Sequence, residues 1–230
     1  MTARKKSSAA RNKKRILIID DHPMMRQGLA QLIGAEADLT VCGESENAGQ
    51  ALDAIRAVEP DLVLADISLP DKSGLELIKD FQSVRPGLPV LVISMHDESL
   101  YAERVLRAGG RGYIMKQEGG KKLMEAIRQV LDGQIYVSER MSAKIVETFS
   151  GQRTAASSSP VEKLTDREFE VFQLIGQGKS TKEIATGLHL SAKTVEVHRI
   201  NIKQKLNLKS APELIRYAVR WIETESASER

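Results

Sequence analysis

Leu62-Val63-Leu64-Ala65-Asp66-Ile67-Ser68-Leu69-Pro70-Asp71-Lys72-Ser73-Gly74 is an apolar run that ends in one carboxylate and passes into a loop rich in chain breakers. Apolar residues without alternation read as a short strand covered on both faces, the pattern of a parallel sheet. Asp66 then stands at the carboxyl end of that strand, where open α/β sheets place ligands. Taken alone, Asp66 is equally readable as a loop cap, since Asp is favoured in turns.

The neighbouring runs decide between these readings. Ile16-Leu17-Ile18-Ile19 ends in Asp20-Asp21, Val90-Leu91-Val92-Ile93 ends in Ser94, and Arg111-Gly112-Tyr113-Ile114-Met115 ends in Lys116. Strand ends thus deliver three acids, a hydroxyl and a cation to one edge. Adjacent carboxylates repel unless a cation joins them, and oxygen ligands of this kind suit Mg²⁺. A carboxylate beside such a charge and a Lys can attack phosphorus and form an acyl phosphate. The cations would neutralise charge on the transferring phosphoryl group.

Apolar strands alternate with helix patterns five times between residues 15 and 133, which implies a doubly wound parallel sheet. A helix starts at Pro23 and ends near Gly34, and Leu39–Cys42 reads as the second strand. Asn47 with Gln50, and Ser73 with Glu76, form capping boxes for the next two helices. A fourth helix spans 96–108, and a last one runs from Gly119-Gly120 to Gly133. His22 has no second His at ligand spacing and reads as a loop residue.

These residues, in this order, resemble the receiver domain of two-component response regulators across residues 15–133. The resemblance implies the flavodoxin-like strand order and Asp66 as phosphoacceptor. It implies Mg²⁺ held by Asp20, Asp21, Asp66 and the backbone carbonyl of Ser68. Ser94 and Lys116 would contact the phosphoryl oxygens, and Tyr113 would be the switch aromatic. Lys72 and Ser73 stand where Met and an acid or Asn are common, and Gly110 where Ala is common.

A chain of 230 residues has room for one large or two small domains. No apolar run approaches the roughly 20 residues of a membrane helix, and no secretory signal is visible. Cys42 is the only cysteine, which forbids internal disulfides and fits a reducing cytoplasm. Charge is uneven: residues 1–15 carry +7, residues 16–150 carry −7, and residues 160–222 carry +4. An acidic domain followed by a basic one places nucleic acid on the second. Residues 1–14 read as a disordered basic arm and residues 134–160 as a linker with a helix over 138–149. Residues 223–230 read as a tail.

Residues 161–222 form a second unit. Thr165 with Glu168 and Ser180 with Glu183 are capping boxes. Ser191 caps a helix over 192–207, and Ser210 with Glu213 caps a last one. The second and third of these four short helices lie close enough for a helix-turn-helix. On the third, Val195, Ile202 and Leu206 share one face at helical spacing.

Leu164-Thr165-x-Arg167-Glu168, Gly178-x-Ser180, Lys182-Glu183-Ile184-Ala185 and Thr194-Val195-x-Val197-His198 resemble the LuxR-type DNA-binding domain of NarL/FixJ-type response regulators, over residues 164–219. The resemblance puts residues 192–207 in the major groove. Glu196, Val197 and Ile200 would face base edges. Lys193, Thr194, His198, Lys203 and Lys205, with Thr181 and Lys182 on the helix before, would complete the DNA surface. Glu196 replaces the Lys of many relatives, and a Glu accepts from cytosine N4 but cannot pair with guanine. Tyr217 and Ala218 on the final helix are the expected dimerisation face.

The fold class expected is α/β plus all-α, and the function a phosphorylation-controlled transcription regulator of a two-component system, not an enzyme. Its partners would be a sensor histidine kinase, promoter DNA with paired half-sites, and a second copy on DNA, with no membrane. One competitor is a phosphate-ester hydrolase working through an aspartyl phosphate. It needs a second acid two residues after the nucleophile, where this chain has Ser68. The other is a phosphorylation-independent regulator with the receiver as a docking or dimerisation module. The complete set of acids with Lys116 argues against it.

Overall fold

A computed structural model describes residues 13–149 and 160–227. Most of the expected basic arm and nearly all of the 150–160 linker lie outside the described residues.

The first unit is a five-stranded parallel sheet in the order β2-β1-β3-β4-β5, as the resemblance implied. Its strands are β1 (Lys14–Ile19), β2 (Leu39–Ser45), β3 (Leu62–Asp66), β4 (Val90–Ser94) and β5 (Gly112–Met115). Every residue of β3 and β4 is buried, because helices cover both faces. One layer is α1 (Pro23–Gly34) and α5 (Gly119–Leu131), packed on Ile16, Ile18, Leu64 and Leu91. The other layer is α2 (Ala48–Val58), α3 (Gly74–Val84) and α4 (Glu98–Arg107), packed on Leu17, Val63 and Val92.

Four local expectations change. β2 runs on to Ser45, and the pairing register shifts so that Ile16 faces Val41 while Leu17 faces Gly43, leaving Cys42 as the extra residue. Asn47 does accept from the Gln50 amide, but the Gln50 side chain accepts from Glu46 N, one residue before the cap. Ser73 stands at the start of α3 without capping it, since its hydroxyl is engaged elsewhere. The fourth helix begins at Glu98, capped by Asp97.

Residues 134–149 pack on the first unit. Tyr136 extends the sheet beside β5, with Tyr113 N donating to Tyr136 O at 2.9 Å and Tyr136 N to Arg111 O at 3.0 Å. The helix expected over 138–149 forms as α6 (Glu139–Phe149) and buries Met141.

The second unit comprises α7 (Asp166–Gly176), α8 (Thr181–Gly187), α9 (Ala192–Lys205) and α10 (Ala211–Ala227). Both expected capping boxes close, at Thr165/Glu168 and Ser180/Glu183. α10 continues to Ala227, so residues 223–227 are helix rather than tail. Gly176 lets α10 approach α7 closely: a Cβ there would lie 2.7 Å from Ala218 O. The apolar core of α7 to α10 is continuous with the α2–α4 layer, because Tyr101 of α4 meets Phe169 of α7 edge to face at 5.4 Å.

Candidate functional site

Strand register assembles the acidic site. Ile19 pairs with Ala65, which sets Asp20 beside Asp66, and Asp66 pairs with Ile93, one residue before Ser94. Ser94 pairs with Met115, one residue before Lys116. Lys116 Nζ donates to Asp20 Oδ2 and Asp66 Oδ2, each at 2.7 Å. Asp66 Oδ1 also accepts from Ser68 N at 3.1 Å. Burial raises the Asp66 carboxyl above its ordinary range, and Lys116 offsets only part of that rise. Burial would lower the Lys116 ammonium, but the two carboxylates outweigh it and raise it.

Asp20, Asp21, His22 and Asp66 bring ligand atoms within 4.8 Å of one another. Carboxylate oxygens dominate this set, so it fits a hard divalent cation. The set also includes His22, whose Nδ1 lies 2.7 Å from Asp21 Oδ1.

Ser94 is buried, and its Oγ accepts from His96 N at 3.0 Å. Tyr113 is buried too, its hydroxyl donating to His96 O at 2.7 Å. Burial pushes the Tyr113 phenol well above its ordinary value, so it stays a donor. The His96 backbone therefore links Ser94 to Tyr113, although nothing in the local sequence marked it.

A cleft of about 710 Å³ opens over this edge. Asp21, Ser68 and His96 form one wall, and Lys179, Lys182 and Thr186 of the second unit form the other. Polar pairs close the junction behind it. Ser73 Oγ donates to Glu170 Oε1 at 2.6 Å, and Lys79 Nζ to Asp166 Oδ2 at 2.6 Å. Arg104 donates to Val161 O and Leu164 O and lies 3.9 Å above the Phe169 ring. Sequence reading missed this junction. The only trace was that α7 carries apolar residues on more than one stripe, as a helix covered on two sides does.

The surface expected to meet nucleic acid centres on α9. Val195 and Ile202 anchor it, and Val197 and Ile200 are each 48% exposed. Glu196 and Lys193 are exposed beside them, with Lys203 partly covered. Glu196 Oε1 accepts from Thr181 Oγ1 at 2.8 Å and lies 3.9 Å from Arg199 Nε. Thr194 Oγ1 shares a hydrogen bond with Ser191 Oγ at 2.7 Å, the hydroxyl of the α9 cap.

Three expected contacts are displaced. Lys205 Nζ donates to the buried Glu168 Oε2 at 2.6 Å, so it ties α9 to the α7 capping box instead of facing phosphate. Burial alone would raise the Glu168 carboxyl, but its bonds from Lys205 and Thr165 hold it below the usual range. His198 is half-buried with its Nδ1 turned inward, without a hydrogen-bond partner among the described residues, and burial lowers its pKa. Ala218 is fully buried against α7 and offers no pairing surface, whereas Tyr217 is half-buried beside Phe172.

Residues 16–128 match the response regulator receiver domain, and residues 162–218 match the bacterial regulatory proteins of the luxR family. The chain is 35% identical to the oxygen regulatory protein NreC of Staphylococcus carnosus over 210 residues, 90% of this chain and 97% of that protein. NreC of Staphylococcus aureus (strain bovine RF122 / ET3-1) is 37% identical over the same spans. A LuxR-family two-component response regulator from Aurantimonas superposes with a TM-score of 0.56 at 30% identity, over 60% of this chain and 99% of that one. RcsB of Salmonella enterica serovar Typhimurium, bound to promoter rprA, shares the fold at a TM-score of 0.60 and 23% identity, over 90% and 99%. Among the described residues no helix is long and apolar enough to cross a membrane. With a receiver sheet, an acid-lysine edge and a helix-turn-helix in one chain, the protein belongs to the response regulators that join a receiver to a LuxR-type DNA-binding domain, phosphorylation-controlled regulators of transcription.

Proposed function

We propose that Asp66 accepts a phosphoryl group from a sensor histidine kinase, and that this acyl phosphate governs how residues 161–222 engage promoter DNA in the cytoplasm. The observation that carries the reading is Lys116 Nζ set 2.7 Å from both Asp20 and Asp66 at one strand edge. The Asp66 carboxylate attacks phosphorus as the donor's phosphorus–nitrogen bond breaks, and Lys116 stays to neutralise the added charge. Asp20, Asp21, Asp66 and the Ser68 carbonyl would hold Mg²⁺, which would screen the phosphoryl oxygens as they approach the carboxylates. Ser94 then turns its hydroxyl toward the phosphoryl group, and Tyr113 responds through the segment they share at His96. A receiver of residues 15–133 is buttressed by the packed segment 134–149.

On DNA, Glu196, Val197 and Ile200 read base edges, while Lys193, Thr194 and Lys203 hold phosphates. Thr181 and Lys182 stand at the start of α8, the end that meets the backbone. Lys182 faces the cleft, so its DNA contact requires the two units to part. Two copies paired near Tyr217 would match paired half-sites.

The test is a small phosphodonor with Mg²⁺ and intact-mass measurement. One phosphoryl adduct is expected on the wild type and none on Asp66→Asn, which keeps the side-chain shape without the nucleophile. An equal adduct on the variant refutes the acceptor assignment. No adduct on either supports the phosphorylation-independent docking module instead.

A further inference from the structure

His96 is held at four points, and each leads somewhere different. Its backbone N donates to Ser94 Oγ at 3.0 Å, its carbonyl accepts from Tyr113 OH at 2.7 Å, and its Nε2 shares a hydrogen bond with Ser68 Oγ at 3.0 Å. Those three contacts belong to the acidic site and its loop. The fourth leads away from it: the imidazole stacks on Tyr101 with ring centroids 5.1 Å apart and planes 29° apart.

Tyr101 is fully enclosed and reaches the other unit twice. Its hydroxyl donates to Gln173 Oε1 at 2.5 Å, and its ring meets Phe169 edge to face. Gln173 and Phe169 are both buried on α7, the helix that Lys205 ties to α9 through Glu168. A path of direct contacts thus runs from the Asp66 edge through His96 and Tyr101 to the DNA-binding unit. It has no slack, because a buried Tyr hydroxyl and a buried Gln amide each lose their partner if the other moves.

We propose that His96 is the positioning residue that carries the phosphorylation state of Asp66 to the DNA-binding unit, through its stack on Tyr101 and the Tyr101–Gln173 hydrogen bond. This rests on the reading of Asp66 as phosphoacceptor. When Ser94 Oγ and Tyr113 OH change partners, the backbone on both sides of the imidazole shifts, and the ring plane beneath Tyr101 shifts with it. Tyr101 then cannot keep both its Gln173 bond and its Phe169 contact, and α7 is released from α4. The hydrogen bonds of Ser94 Oγ and Tyr113 OH to His96 stay within the first unit, whereas the imidazole stacks on the residue that reaches α7.

The chain supplies its own reporter. Trp221 is the only tryptophan and packs on Phe169 at 5.7 Å and Phe172 at 5.5 Å. Full-length wild type, His96→Gln, His96→Phe and Tyr101→Phe would be treated with a small phosphodonor and Mg²⁺. Adduct is scored by intact mass and coupling by Trp221 emission. Gln keeps a polar group toward Ser68 without a ring, and Phe keeps a ring without the hydrogen bond. The expected result is adduct formation within threefold of wild type in all variants. The emission response should fall at least fivefold in His96→Gln and in Tyr101→Phe, and at least half of it should survive in His96→Phe. The double variant His96→Gln/Tyr101→Phe should respond no less than His96→Gln alone, since both changes cut one path. A wild-type emission response in His96→Gln overturns the proposal. So does equal loss in His96→Phe, and so does loss of adduct in the His96 variants, which would make His96 part of the acceptor site. No adduct on the wild type overturns the phosphoacceptor reading itself, and the proposal with it.

Discussion

Lys205→Ala separates two roles for one cation. As a phosphate contact, its loss would cut the slope of log K against log salt by about one unit. As the partner of Glu168, its loss would leave that slope unchanged and destabilise the second unit. The pair is 2.6 Å apart, with the Glu168 side chain 4% exposed and the Lys205 side chain 36% exposed. Removing one partner of a fully buried pair costs ~3–5 kcal/mol, and an exposed pair is worth only ~0.2–1 kcal/mol. With one partner about a third exposed, and Glu168 still accepting from Thr165 N at 2.8 Å, the expected loss is ~1–3 kcal/mol. In a unit of this size, that lowers Tm by about 4–8 °C per kcal/mol. Urea unfolding followed by Trp221 emission measures it, since Trp221 sits on α10 against α7.

The pH dependence gives a second check. The folded Glu168 carboxyl is held below its ordinary range, so its contribution is complete above the unfolded value and is lost as pH falls through the folded one. The difference between wild type and Lys205→Ala should therefore be full at neutral pH and shrink in acid. A variant of unchanged stability with a salt slope lower by one unit would refute the structural role of Lys205.

Arg104→Ala removes the Val161 and Leu164 carbonyl contacts and the cation over Phe169, so it should part the two units by ~1–3 kcal/mol and raise DNA binding without phosphorylation about five- to a hundredfold; binding equal to unphosphorylated wild type would count against closure by this junction. Gly176→Ala forces a methyl against Ala218 O and Ile222, which should cost ~1–3 kcal/mol and change Trp221 emission, measured by urea unfolding; a loss under about 0.5 kcal/mol would show that α10 shifts freely. Glu196→Ala frees Arg199 and Thr181 beside the groove, so competition binding on randomised duplexes should show altered base preference, ~1–3 kcal/mol per good base contact. Lys203→Ala should weaken all duplexes alike, and identical preferences in wild type and Glu196→Ala would refute base reading by that residue.

The receiver's strands, their carboxyl-end residues and the acid-lysine cluster at that edge were legible locally. Uninterrupted apolar runs mark strands buried on two faces, and the residue after each run must emerge at the same edge of a parallel sheet. Asp20, Asp66, Ser94 and Lys116 were therefore predictable from strand ends, and the capping boxes at Thr165 and Ser180 from three-residue spacing. What only tertiary structure decided was which long-range partner each polar side chain takes. Ser73 stands where a cap is expected, yet it bonds Glu170, 97 residues away. Lys205 lies on a basic helix, yet it bonds Glu168, 37 residues earlier. Ala218 and Tyr217 are adjacent on one helix, and only the close passage of α10 over Gly176 buries the first while leaving the second partly exposed. Periodicity fixes which face of an element is apolar, because that depends on spacing along one chain segment. The identity of the group across a junction depends on how two whole units dock, and spacing within either unit carries no record of it.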